Sequence, residues 1–145
     1  MLDDSPGLEF IRKTIEPFGE IKRTFTVAAV NVETGEYETF NNDNITFEEL
    51  AQAALSSGSI PTVFPPQHFH DMYLMDGGTV WNVNVQSAIE QCLAKVEDES
   101  DVYLDVMICD YTEEIGEEKS GNTVNNWFQS RSIHHFFNDS NDVNE

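Results

Sequence analysis

Ala53-Ala54-Leu55-Ser56-Ser57-Gly58-Ser59-Ile60-Pro61-Thr62-Val63-Phe64-Pro65-Pro66 is the stretch on which the fold turns, together with Asp76-Gly77-Gly78 and Asn82 beyond it. Its first part is a run of small and apolar residues, which suits a helix packed closely against a neighbour. Gly58 ends that helix, and the prolines after it exclude regular helix or an inner strand. Met72–Met75 then reads as a short strand, stopped by Asp76-Gly77-Gly78. Taken alone, an Asp-Gly pair is turn chemistry, because glycine accepts backbone angles closed to other residues.

Upstream, Thr46 and Glu49 have the spacing of a capping box, and Ile45 can staple to Leu50. Phe25 to Asn31 reads as a buried strand, and Glu33-Thr34-Gly35-Glu36 as a turn into a paired strand at Tyr37–Phe40. At the start, Ser5 resembles an N-cap with Pro6 at the first helical position. Leu8, Ile11, Ile15 and Phe18 recur at helical spacing, and Gly19 is the stop. Downstream, Val85, Ala88, Ile89, Cys92 and Leu93 share one helical face, with Asn84 as cap. Val102–Cys109 reads as a strand, residues 111–121 as a charged loop, and 122–137 as an amphipathic helix. Strands alternate with helices, so the expected class is α/β with a mostly parallel sheet.

The whole combination resembles the C-terminal half of the patatin-like phospholipase domain. That family carries a small-residue helix, a Ser-x-x-Pro-x-x-Phe-x-Pro segment, and a strand ending in Asp-Gly-Gly or Asp-Gly-Ala followed by Asn. Ser5-Pro6-Gly7-Leu8 and Phe25–Phe40 are similar to the elements that lead into this segment, and Val102–Cys109 to the next sheet strand. The resemblance implies a partial three-layer sandwich lacking its N-terminal strands. It covers residues 4–110 within a domain placed at 1–110, with the charged loop and helix at 111–137 and an acidic polar tail at 138–145. It also implies a serine lipid acyl hydrolase with a Ser–Asp dyad and no cofactor. Asp76 matches the dyad's proton acceptor, and Gly77 and Gly78 shape the turn behind it. The substrate implied is a phospholipid or acylglycerol ester. A proline that often follows the family's asparagine is absent at Val83-Asn84.

The nucleophile is not in this sequence. A Gly-x-Ser-x-Gly elbow needs two glycines four apart. The eight glycines stand at 7, 19, 35, 58, 77, 78, 116 and 121, and no pair has that spacing. No pair is two apart either, so the family's Gly-x-Gly-x-x-Gly oxyanion loop is missing too. Ser56, Ser57 and Ser59 sit at a helix end and a turn, where serine bonds local backbone. The expectation is a chain that is inactive alone and needs an N-terminal half-domain as partner. The alternative is a non-catalytic α/β remnant that binds a protein or an acyl chain.

Composition narrows the partners. The chain has 145 residues, 27 acidic and 7 basic, for a formal net charge of −20. Nucleic-acid binding requires a surplus of Lys and Arg and is excluded. Docking on anionic lipid by overall charge is disfavoured for the same reason. The acid concentrates late: residues 1–95 hold 14 acidic and 5 basic groups, residues 96–145 hold 13 and 2. No apolar run reaches the ~20 residues of a membrane span. No signal peptide is evident, so the expected location is cytoplasmic, peripheral at membranes or lipid droplets.

Four other constellations compete. His68, His70 and Asp71, with His134 and His135, could suggest a metal site, but no partner stands at a recognisable ligand spacing. Cys92 and Cys109 read as two small buried thiols. Glu97-Asp98-Glu99-Ser100-Asp101 reads as a solvated loop, without the spacing of a calcium site. Trp127, Phe128, Phe136 and Phe137 read as core aromatics that a missing partner would leave uncovered.

Overall fold

The computed structural model describes residues 2–107. Cys109, the loop at 111–121, the helix at 122–137 and the tail lie outside the described residues. The chain divides at Val80 into two compact units.

The first unit opens with α1, Ser5–Ile15, whose first turn holds Pro6. The cap falls one residue before the expected one. Asp4 takes the cap position, and Asp3 Oδ1 accepts the Ser5 N–H at 3.0 Å. A 3-10 turn over Glu16–Phe18 follows. It ends at Gly19 in the left-handed region, φ 68°, the stop expected there.

Strand β1, Thr26–Asn31, joins β2, Tyr37–Asn41, through a turn in which Gly35 has φ 76°. The two pair antiparallel, with Val27 opposite Phe40. Helix α2, Leu50–Ser57, comes next. It starts just beyond the capping box. The Thr46 N–H and hydroxyl both donate to Glu49 Oε2, at 2.8 and 3.0 Å. The glutamate half of the box is thus present, and the threonine hydroxyl is spent on the same carboxylate.

Strands β3, Gln67–Phe69, and β4, Met72–Asp76, form a second hairpin. Its two-residue loop, His70-Asp71, has φ 50° and 59°. Both central residues at positive φ are what a tight hairpin matching the strand twist requires, and His and Asp tolerate it better than most. The sequence lacks the Asn-Gly signal of such a loop, so β3 was not expected.

The sheet order is β2-β1-β4-β3, and every neighbouring pair is antiparallel. This corrects the mostly parallel sheet expected from strand–helix alternation. Two of the three pairings are hairpins, which can only be antiparallel, and a parallel pair would need a longer crossover. Helix α2 does connect β2 to β3, but these are the two sheet edges and do not pair.

The core lies between α2 and one sheet face. Ala29, Phe40, Ile45, Ala53, Phe69 and Leu74 are buried there, with Phe25, Val27, Leu50 and Met72 against them. Ile45 and Leu50, the expected staple pair, both join this cluster. Ala51 and Ala53 are fully buried, so alanine lets the helix backbone approach the strands. Gln67 is the polar tie: its Nε2 donates to Asp4 Oδ2 and to the Pro65 carbonyl, and its Oε1 accepts from Gln52.

The second unit contains α3, Val85–Leu93, and a 3-10 turn over Glu99–Asp101. Asn84 caps α3 as expected, its Oδ1 accepting the Ser87 N–H at 3.0 Å. Val85, Ala88 and Ile89 are half-buried, but Cys92 and Leu93 are exposed. The thiol expected in a core is therefore a surface group. Residues 102–107 form no strand. The β-forming run Val102–Met107 finds no pairing partner among the described residues, and pairing is what makes a strand.

Candidate active site

Strand β4 carries the candidate aspartate to its terminus. Asp76 lies opposite Ala29 on the central strand β1. Its N–H donates to the Ser59 carbonyl at 3.0 Å, tying the strand end to the turn after α2. The Pro-rich segment and the Asp-Gly-Gly turn, distant in sequence, therefore hold the same point. The carboxylate is half-buried, and its Oδ1 accepts the Gly78 N–H at 2.9 Å. This bond restrains the side chain's rotation.

Gly77 explains why the next residue has no side chain. A Cβ built there would stand 2.5 Å from the Ala28 carbonyl oxygen and 3.0 Å from its carbon. The obstacle is strand backbone, which cannot rotate away as a side chain can. Gly77 also begins a 3-10 turn through Thr79, with Val80 N–H donating to the Gly77 carbonyl. In this turn the Thr79 hydroxyl is buried and has no hydrogen-bond partner among the described residues. No feature of the sequence pattern marks Thr79. Only burial, which no motif reports, singles it out.

Ser56 and Ser59 are occupied as expected. Ser56 Oγ donates to the Gln52 carbonyl at 2.9 Å, and Ser59 Oγ to the Leu55 carbonyl at 2.7 Å. Both side chains are buried. Each bonds the carbonyl four residues back, the habit of serine in or just after a helix.

The histidines do other work. His68 lies in β3 with its ring 5.1 Å from Tyr73. His70 lies in the hairpin loop, stacked on Phe69 at 4.1 Å, with Nε2 2.9 Å from Glu49 Oε1. The positive φ of His70 breaks the strand alternation that would have put both rings on one face. Among the described residues no group of three His, Cys, Asp or Glu side chains is placed to hold a metal ion. Glu49 is a perturbed acid: the Thr46 N–H first, then His70 and the Thr46 hydroxyl, hold its carboxyl down at about 2. In the acidic run, Asp98 Oδ1 accepts the Ser100 N–H, which lowers its carboxyl below the usual range and caps a short turn.

An antiparallel sheet backed by a small-residue helix, with an Asp-Gly-Gly turn locked onto its central strand, defines an α/β unit built around a strand-end carboxylate. A family model, patatin-like phospholipase, matches residues 2–89. The match covers more than half of the chain, and the chain belongs to that family, one of lipid acyl hydrolases. No curated protein matches the chain. Among the described residues no helix is long and apolar enough to cross a membrane.

Proposed function

We propose that this chain supplies the aspartate part of a patatin-like lipid acyl hydrolase, with residues 1–110 as the C-terminal part of the domain. The observation that carries the reading is the fixation of Asp76. Its backbone is held from β1 and from Ser59, its carboxylate by Gly78, and its neighbour Gly77 by the Ala28 carbonyl. A general base must hold its geometry within hydrogen-bond reach of the proton it takes.

The reaction that fits is ester hydrolysis by a Ser–Asp dyad. A serine from an N-terminal half-domain attacks the ester carbonyl of a phospholipid or acylglycerol. Asp76 takes the hydroxyl proton as the new C–O bond forms. It returns that proton to the departing alcohol when the tetrahedral intermediate collapses. Water then repeats the sequence on the acyl-enzyme and frees the fatty acid. A carboxylate is a weak base for an alcohol hydroxyl. Stabilisation of the oxyanion must therefore carry much of the barrier reduction, and those donors belong with the missing glycine-rich loop.

The test joins a patatin-like N-terminal half, with its Gly-x-Ser-x-Gly elbow, to this chain in cis. Ester hydrolysis should appear in the fusion and be absent from either piece. Asp76→Ala in the fusion should lower kcat by about 10²–10⁴-fold, the usual worth of a general base. Activity that survives Asp76→Ala overturns the assignment. Labelling of the chain alone by a fluorophosphonate would place a nucleophile within these residues and overturn the need for the second half.

A further inference from the structure

The chain's few cations are not scattered. Four of its seven, Arg12, Lys13, Lys22 and Arg23, fall within twelve residues. Lys13 is engaged with Glu9 at 2.7 Å. Lys22 and Arg23 are exposed, and their side chains make no ion pair among the described residues, in a molecule carrying 27 acids. They stand on the rim of a groove of about 460 Å³. Ile15, Phe18, Ile21 and Phe25 line it from the α1 side and the entry to β1, and Phe47 and Leu50 from the start of α2. Phe18 is 61% exposed and adds its ring to the open apolar surface of the groove. Glu20 is the one acid on the lining.

We infer that this groove binds a long-chain carboxylate, with the acyl chain on the aromatic and aliphatic lining and the carboxylate on Lys22 and Arg23. The volume lies within the ~300–1,000 Å³ of small-molecule pockets, which are mostly apolar with a few polar groups fixing orientation. Two unpaired cations beside one apolar groove match an anion with a long tail. A bilayer fits less well. An anionic membrane presents many charges to a chain of net charge −20 and repels it once it comes within the ~8 Å screening length that contact requires. A single carboxylate meets mainly the groove's own lining, where Lys22 and Arg23 stand against Glu20; the adjoining groove that shares Ile15 and Phe47 adds Arg12 and Lys13 against Glu9, Glu16 and Glu48. Asp76 does not line the groove, and binding there needs no nucleophile, so this inference stands or falls separately from the catalytic reading.

The experiment is titration of the full chain with monomeric oleate by calorimetry, beside oleyl alcohol and phosphatidylcholine–phosphatidylglycerol vesicles. Oleate should bind. Lys22→Gln with Arg23→Gln should weaken it about tenfold, the usual worth of a charged hydrogen bond. Oleyl alcohol should bind the original chain as weakly as oleate binds the double variant. Both substitutions are at exposed positions, and circular dichroism checks that the fold is kept. Phe18→Asp is the second variant and should weaken oleate and oleyl alcohol alike. Equal affinity for oleate and oleyl alcohol, no effect of the charge substitutions, or binding to the vesicles alone would each overturn the inference.

Discussion

The two ends of strand β4 are held by different physics. At one end Gly77 sits against the Ala28 carbonyl, where a single Cβ would come within 2.5 Å. At the other end the His70-Asp71 loop bends through left-handed backbone in solvent, with His70 beside Glu49. The first end admits one residue type by sterics. The second tolerates several, and its residues are held by hydrogen bonds in water. A close-packed contact is all-or-none, whereas an exposed polar contact is graded, because water replaces what is lost. The end that admits no change is the one that carries the candidate base.

The contrast can be broken at four places. Gly77→Ala should show the largest effect, a loss of about 3 kcal/mol in urea unfolding, the upper range for overpacking. A loss under ~1 kcal/mol would mean that β1 yields and the steric account fails. Asp76→Ala removes the bond to the Gly78 N–H and should cost about 1 kcal/mol, as loss of a capping side chain does. An unchanged urea midpoint would show that this bond contributes nothing to holding the turn. Asp71→Gly should go the other way. Glycine accepts φ 59° freely, so the hairpin should gain about 0.5 kcal/mol net of the lost chain stiffness. Destabilisation at this position would show that the Asp71 side chain matters to the loop.

The smallest effect is the most specific. Glu49 is held at about 2 in the folded chain, whereas a free glutamate titrates near ~4.3. A depressed acid stabilises the fold above the unfolded pKa and loses that contribution as pH falls through the folded one. Glu49→Gln should therefore lower stability at neutral pH and flatten the acid limb between about 4.3 and 2. The two proteins should converge near the bottom of that range. Parallel acid limbs would show that the Thr46 and His70 contacts do not act on Glu49.

Much of the local structure was legible. The run Phe25–Asn31, the Gly35 turn, the small-residue helix, the strand before Asp76 and the Asn84 cap all follow from period, caps and breakers that act within a few residues. So did the occupation of Ser56 and Ser59, because serine after a helix turns to the carbonyl four back. Strand β3 escaped because three residues give no periodicity and His-Asp is an uncommon tight loop. Cys92 was misplaced because helical spacing names a face but not what covers it. Val102–Met107 has the composition of a strand, and composition does not provide a partner.

By itself the sequence determined α1, α2, α3, β1, β2 and β4, with their stops to within a residue or two, and that an Asp-Gly-Gly turn follows a Pro-rich segment in the family's order. Those are local properties of backbone angles and side-chain period. Only the tertiary structure decided that the sheet is antiparallel, because pairing direction depends on which strands meet. Only it decided that position 77 must be glycine, because the obstacle is a carbonyl on another strand. And only it brought Lys22 and Arg23 to the rim of one groove with Phe47 and Leu50, which are neighbours in space and not in sequence.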